Sequence, residues 1–169
     1  MSKKVERIAA VIFFLMILII FISSSMTYKQ QTMVPAFSKY LTNKPFYHLL
    51  SQLHFTYGGQ AHSIDNMGYY KLAEFFIRKF AHFGSYLVIG TFLWLAIYNK
   101  INSKVMLFFM AWLMTTGLAA LDEFHQEITT GRTPLIDDVM LDSAGALVGI
   151  LVVWLIYLIY LHIRTKKAI

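Results

Sequence analysis

Of the chain's 169 residues, 57% are hydrophobic and 14% are charged, and the mean hydropathy is +0.56. Soluble domains carry about 25% charged residues, so that class is excluded, and so is a disordered chain of low hydrophobicity. There is no cysteine, which excludes disulfides and thiolate chemistry, and the formal charge of +6 has to be explained by where its bases fall.

Between charged residues lie four long neutral windows, at residues 8–28, 80–99, 105–121 and 143–163. Crossing ~30 Å of hydrocarbon at 1.5 Å per residue takes about 20 residues, and the backbone must be helical because hydrocarbon offers it no partners. The alternating polarity of a β-barrel is absent. The expected fold is therefore all-α, an integral membrane bundle of four transmembrane helices at about 8–26, 78–99, 104–122 and 139–163 in a single domain. An extracytoplasmic loop at about 27–77 containing short amphipathic helices completes it. The third span is expected to run on as helix through residues 122–126.

Lys3, Lys4 and Arg7 precede span 1, Lys100 and Lys104 join spans 2 and 3, and Arg164, Lys166 and Lys167 follow span 4. Lysine and arginine cluster on the cytoplasmic side, so the expected topology is multi-pass in the cytoplasmic membrane with both termini inside. The excess of bases is then topological, and no nucleic-acid partner is expected. The competing reading takes residues 3–25 as a cleaved signal peptide with a poor site at Ser23-Ser24-Ser25. Either way the first loop lies outside.

In that loop, Asn43-Lys44-Pro45 reads as a helix start, Phe46, Leu49, Leu50 and Leu53 follow at helical spacing, and Gly58-Gly59 ends the pattern. Such a helix would lie on the membrane surface or pack on the spans. A second helical stretch from Met67 is expected to run straight into span 2, with Glu74 and Arg78 spaced to pair.

The polar residues then gather at one end. Arg78, His82 and Tyr86 recur every four residues on one face of span 2. Arg78 and Lys79 fit ordinary interfacial anchors, but His82 lies about 5 Å deeper, where ionisable groups face a protein interior or a wet cavity. Span 3 exits through Asp122-Glu123-Phe124-His125-Gln126-Glu127, placing acids against the unfavourable end of the helix dipole. After a turn at Gly131-Arg132-Thr133-Pro134, Asp137 or Asp138 starts span 4. Asp138, Asp142, Gly145 and Gly149 continue along one face, and the two glycines form a small-xxx-small pattern that admits a neighbouring backbone. The acidic stripe should therefore point into the bundle. Together these residues imply a shallow polar pocket at the outer leaflet.

The blocks Arg78-Lys-Phe-Ala-His82-Phe, Asp122-Glu123-Phe-His125-Gln126, Gly131-Arg132-Thr-Pro and Asp138-Val-Met-Leu-Asp142-Ser-Ala-Gly145 resemble, in order, those of the VanZ-like family. That family is named for a membrane protein associated with resistance to the glycopeptide teicoplanin, and the likeness covers about residues 67–150. Asp142 stands where many members carry Asn. The resemblance implies a small four-span envelope protein with a role in glycopeptide tolerance, and it supplies no reaction.

Three functions compete. In the first, an enzyme or poised binder acts on a lipid-linked or cell-wall ligand. Arg78, Lys79 and Arg132 hold its anionic group, His82, Asp122, Gln126 and Asp142 complete the binding set, and Glu123, His125 and Asp138 act as acid, base or orienting groups. No G-x-S-x-G, H-E-x-x-H or Gly-rich phosphate loop fixes a reaction, and the sequence leaves any cofactor unknown. In the second, the protein binds or shields envelope ligands without chemistry, using its aromatic-rich first loop. In the third, His82, His125, Glu123, Asp138 and Asp142 bind Zn²⁺ or Mn²⁺, though no ligand spacing enforces a metal site and the neighbouring bases oppose one. Membrane lipids are the expected surroundings, and a proton-coupled transporter would need a midplane ionisable residue.

Overall fold

A computed structural model describes residues 1–130 and 134–166. Among these residues are eight helices and one hairpin: α1 (Lys3–Ser24), α2 (Tyr28–Gln31), α3 (Val34–Tyr40), α4 (Tyr47–Ser51), β1 (Phe55–Tyr57), β2 (Gln60–His62), α5 (Ile64–Met67), α6 (Tyr69–Ala96), α7 (Lys104–Thr130) and α8 (Ile136–Lys166). The turn expected at Gly131-Arg132-Thr133 falls outside the described residues.

Three helices, α1, α7 and α8, are long and apolar enough to cross a membrane. Their exposed faces carry large apolar side chains such as Phe14, Leu113 and Ile156, the pattern of helices whose solvent is lipid. The fourth long helix, α6, spans 28 residues and carries Glu74, Arg78, Lys79 and His82 along its first half. It packs against α1, α7 and α8, so most of its surface meets protein. Tyr86, Ile89, Leu93 and Trp94 of α6 form the buried centre with Leu107 and Ala111 of α7 and Ile150 of α8.

The tightest joint is between α6 and α8, which run parallel. A Cβ at Gly145 would come within 2.3 Å of the Phe83 carbonyl oxygen, and one at Gly149 within 2.2 Å of that of Leu87. Neither position has room for a side chain. The small-residue face expected from the sequence is thus the face that α8 lays on α6. Across the α7–α8 joint, Trp112 Nε1 donates to Ser143 Oγ at 3.0 Å, and the hydroxyls of Thr116 and Ser143 are 2.7 Å apart.

The first loop differs from its expected form. In place of a helix from Asn43 to Leu53 there is only α4, because Lys44 (φ 45°) and Phe46 (φ 60°) hold left-handed backbone just before it. Gly58-Gly59 does not merely stop a helix. At φ 57° and 74° the two glycines make the turn of a hairpin in which Phe55 pairs with His62 and Tyr57 with Gln60. Consecutive left-handed residues are what a two-residue hairpin turn requires. Gly68 (φ 81°) separates α5 from α6, so the helical stretch expected from Met67 into span 2 starts instead at Tyr69. Asp122–Gln126 continue α7 without a break, as expected.

Candidate functional site

The hairpin, α2 and the adjoining ends of α6, α7 and α8 enclose a cleft of about 470 Å³. Its walls include Tyr28, Tyr57, His62, Glu74, Arg78, Lys79, His82, Glu123, Gln126 and Asp138. The hairpin is seated by aromatic packing and by α8. Phe55 lies 5.8 and 5.7 Å from the Phe75 and Phe76 rings, and His62 lies 4.5 Å from Phe75. The Gly58 N–H donates to Asp137 Oδ2 at 2.8 Å.

Asp138 is the meeting point of the hairpin, α6 and α8. The Lys79 ammonium is paired with its carboxylate, and the Tyr57 hydroxyl donates to the same oxygen. Lys79 also lies 4.6 Å from the centroid of the Tyr57 ring and 5.4 Å from that of Phe75, a cation held on two aromatic faces. Burial, and secondarily the Asp138 carboxylate, pushes the Tyr57 hydroxyl well above the ordinary tyrosine range, so it stays a donor at neutral pH. One turn further along α8, Asp142 is 4% exposed and faces His82, with Nδ1 to Oδ2 at 3.4 Å. Its other oxygen, Oδ1, is buried without a partner. The expectation that the acidic stripe points into the bundle is correct, with α6 as its partner.

Glu123 is 9% exposed and accepts the Leu135 N–H at 2.8 Å, which ties α7 to the start of α8. On the neighbouring face of α7, Asp122 accepts from Ser24 Oγ at 2.6 Å and from Gln126 Nε2 at 3.0 Å, closing the end of α1 onto α7. His125 stands apart from the cleft. Its ring stacks on Phe21 at 4.5 Å and an interplanar angle of 3°, and its Nδ1 is buried without a partner. Of the acid–base set expected from sequence, Glu123 and Asp138 therefore line the cleft, and His125 faces α1. Arg132 lies outside the described residues.

Arg78 donates to Gln31 Oε1 at 2.9 Å and lies 5.6 Å from the Tyr28 ring. It does not pair with Glu74 as its spacing suggests. Glu74 turns to the loop, accepting from the Met33 N–H at 2.7 Å, the Tyr28 hydroxyl at 3.1 Å and Thr32 Oγ1 at 3.2 Å. Only 3% exposed, it is satisfied by three donors of one segment, which fixes α2 as a roof over the cleft. Among the described residues the ion pairs are Lys79–Asp138 and His82–Asp142, so the guanidinium has no carboxylate partner there.

Tyr28, Tyr57, His62 and Glu74 are cleft residues that sequence reasoning missed. Tyr57 had a signal, since Phe-Thr-Tyr before Gly-Gly and Gln-Ala-His after it is hairpin punctuation. Glu74 had none, because its donors lie some forty residues away in an irregular loop. We expect Glu74→Ala to leave the Met33 amide and two hydroxyls without their acceptor, at about 3 kcal/mol. Limited proteolysis should then cut residues 27–40 faster, and Glu74→Gln should recover part of the protection.

Among the described residues no three His, Asp or Glu side chains come close enough to hold a metal ion. The two imidazoles and three carboxylates offered as ligands are divided between the cleft, the α6–α8 joint and the α1–α7 face.

Three helices long and apolar enough to cross a membrane, packed around α6 with the Lys79–Asp138 and His82–Asp142 pairs gathered at one end of the bundle, mark a membrane protein. The chain belongs to the VanZ/LLP1 family, whose model matches residues 9–158. No curated protein and no solved structure matches the chain.

Proposed function

We propose that this is a four-span protein of the cell envelope whose cleft opens at the outer leaflet of the cytoplasmic membrane and binds an anionic lipid-linked or cell-wall ligand. In this reading α6 is the fourth span and both termini are cytoplasmic, as the placement of lysine and arginine supports. The exposed apolar side chains of the loop, Tyr40, Phe46 and Leu49, then rest in the headgroup region beside Lys39 and Lys44. The observation that carries the reading is Arg78, a guanidinium on the cleft wall bonded only to a neutral amide and a ring face among the described residues. Such a group is suited to bidentate capture of a phosphate or carboxylate.

Binding is favoured over chemistry because Asp138 is already paired with Lys79, Glu123 is engaged by the Leu135 N–H, and His125 is not on the cleft wall. Glutamate and aspartate at the cleft, Glu123 and Asp138, keep acid–base catalysis as a second reading. The glycopeptide tolerance implied by the family likeness would follow if the ligand were a wall precursor or the lipid-tailed drug.

The test is a charge-neutralising scan in cells, with membrane expression measured beside teicoplanin susceptibility and binding measured on purified protein. Arg78→Gln should weaken ligand binding about tenfold, the loss of ~1.4 kcal/mol of charge-assisted bonding, at unchanged expression. Glu123→Gln should be mild if the protein only binds. Loss of tolerance with intact binding would instead support a catalytic carboxylate. Arg78→Gln with full binding would overturn the cleft as the site.

A further inference from the structure

A second cavity, about 290 Å³, lies between α1, α6 and α7. Its lining is apolar except at one end: Ile17, Ile20 and Phe21 come from α1, Tyr86 and Ile89 from α6, and Leu118 and Leu121 from α7, with Asp122 and His125 closing the polar end. It adjoins the cleft along two helices. On α6 the cleft ends at His82 and this groove begins at Tyr86, one turn further in. On α7 Glu123 and Gln126 face the cleft, and Asp122 and His125 face the groove. Ser24, Asp122 and Gln126 are hydrogen-bonded together where the two adjoin on α7.

We infer that the groove between α1 and α7 holds the hydrocarbon chain of the cleft's ligand, which is therefore an amphiphile with an anionic head, a polyprenyl or acyl phosphate. The inference rests on the cleft reading and names its substrate class. A chain entering from the bilayer exchanges one apolar surrounding for another, so the groove by itself gains little. Its contribution is to set the depth of the head at Arg78. The Phe21–His125 stack forms the groove's outer end, where the chain meets the polar cluster. From Leu118 to His125 the groove follows about 10 Å of helix, room for the first stretch of a chain and not for a whole tail. The occupant is an amphiphile rather than a purely apolar molecule, because the groove's polar end adjoins the cleft whose wall carries Arg78.

The experiment measures binding by native mass spectrometry of the full chain in a neutral detergent, with three probes: a polyprenyl phosphate, inorganic phosphate and an uncharged polyprenol. The unaltered protein should hold polyprenyl phosphate at least tenfold more tightly than either other probe. Leu118→Trp, which fills the groove, should abolish that advantage and leave inorganic phosphate unaffected, whereas Arg78→Gln should weaken both phosphates. Ile20→Trp fills the same groove from α1 and serves if Leu118→Trp lowers the melting temperature. Phosphate binding that depends on Arg78 but gains nothing from the chain, or a chain advantage that survives both tryptophans, overturns the groove and leaves the cleft standing. If no anion binds the unaltered protein, both fail.

Discussion

Gly149→Val is expected to be the most damaging single substitution in the bundle. Even a bare Cβ there would come within 2.2 Å of the Leu87 carbonyl oxygen and 2.6 Å of Thr91 Oγ1. The carbonyl belongs to helix backbone and cannot turn aside, so α6 and α8 must separate. Overpacking of this kind costs about 1–3 kcal/mol where side chains can yield, and backbone yields less. The joint also carries both ion pairs, Lys79–Asp138 and His82–Asp142, so parting the helices weakens the cleft wall as well. The melting temperature in detergent should fall by about 5 °C or more. Gly145→Val should behave alike, because its Cβ would meet the Phe83 carbonyl oxygen at 2.3 Å. Gly84→Ala and Gly117→Ala are the controls: nothing lies within 4 Å of a Cβ at either site. They should be neutral or slightly stabilising, as alanine favours helix over glycine by ~1 kcal/mol. Equal effects at all four glycines would show that the close approach is not what those residues serve.

The second large effect is at Asp138. Asp138→Leu removes the counter-charge of Lys79 and the acceptor of the Tyr57 hydroxyl together. With side chains only 21% and 18% exposed, the pair is shielded enough that stranding one charge should cost about 3 kcal/mol. The double variant Lys79→Met/Asp138→Leu should be less damaged than Asp138→Leu alone, because no uncompensated ammonium remains. Thermal melting of the two singles and the double gives the coupling directly. Additive losses would mean that the ammonium finds water readily and that the pair does not hold the hairpin end of the bundle. Tyr57→Phe separates the remaining part, since it deletes the donated hydrogen bond and keeps the ring under Lys79.

What the sequence made legible was whatever repeats with helical period. The face formed by Asp138, Asp142, Gly145 and Gly149 could be read directly, and the structure places α6 against it. The continuation of α7 through Asp122–Gln126 was equally open to reading, because nothing in those residues breaks a helix. The first loop was not. Left-handed backbone at Lys44 and Phe46 has no signature in those residue types, and it cuts the apolar spacing of Phe46, Leu49, Leu50 and Leu53 to a short helix. Long-range pairing was hidden for a different reason. Glu74 and Arg78 are ideally spaced to bond each other, yet each has a nearer fit in the α2 segment, which sequence separation conceals. His125 shows the limit of grouping by neighbourhood, since adjacent residues on a helix exit face different walls. Glu123 went to the cleft and His125 to the Phe21 ring.

The parallel joint between α6 and α8 has a consequence for biosynthesis. The polar groups of α6 are made first, and their partners are supplied by α8, which is synthesised later. Until Asp138 and Asp142 emerge, Lys79 and His82 lack these partners, and α6, unlike α1, α7 and α8, has no stretch long and apolar enough to cross a membrane. A nascent chain lacking α8 thus leaves α6 without the partners that hold it in the bundle. Final seating of α6 becomes a late event, and any chain terminated before residue 136 presents an unseated, charged helix to quality-control proteases.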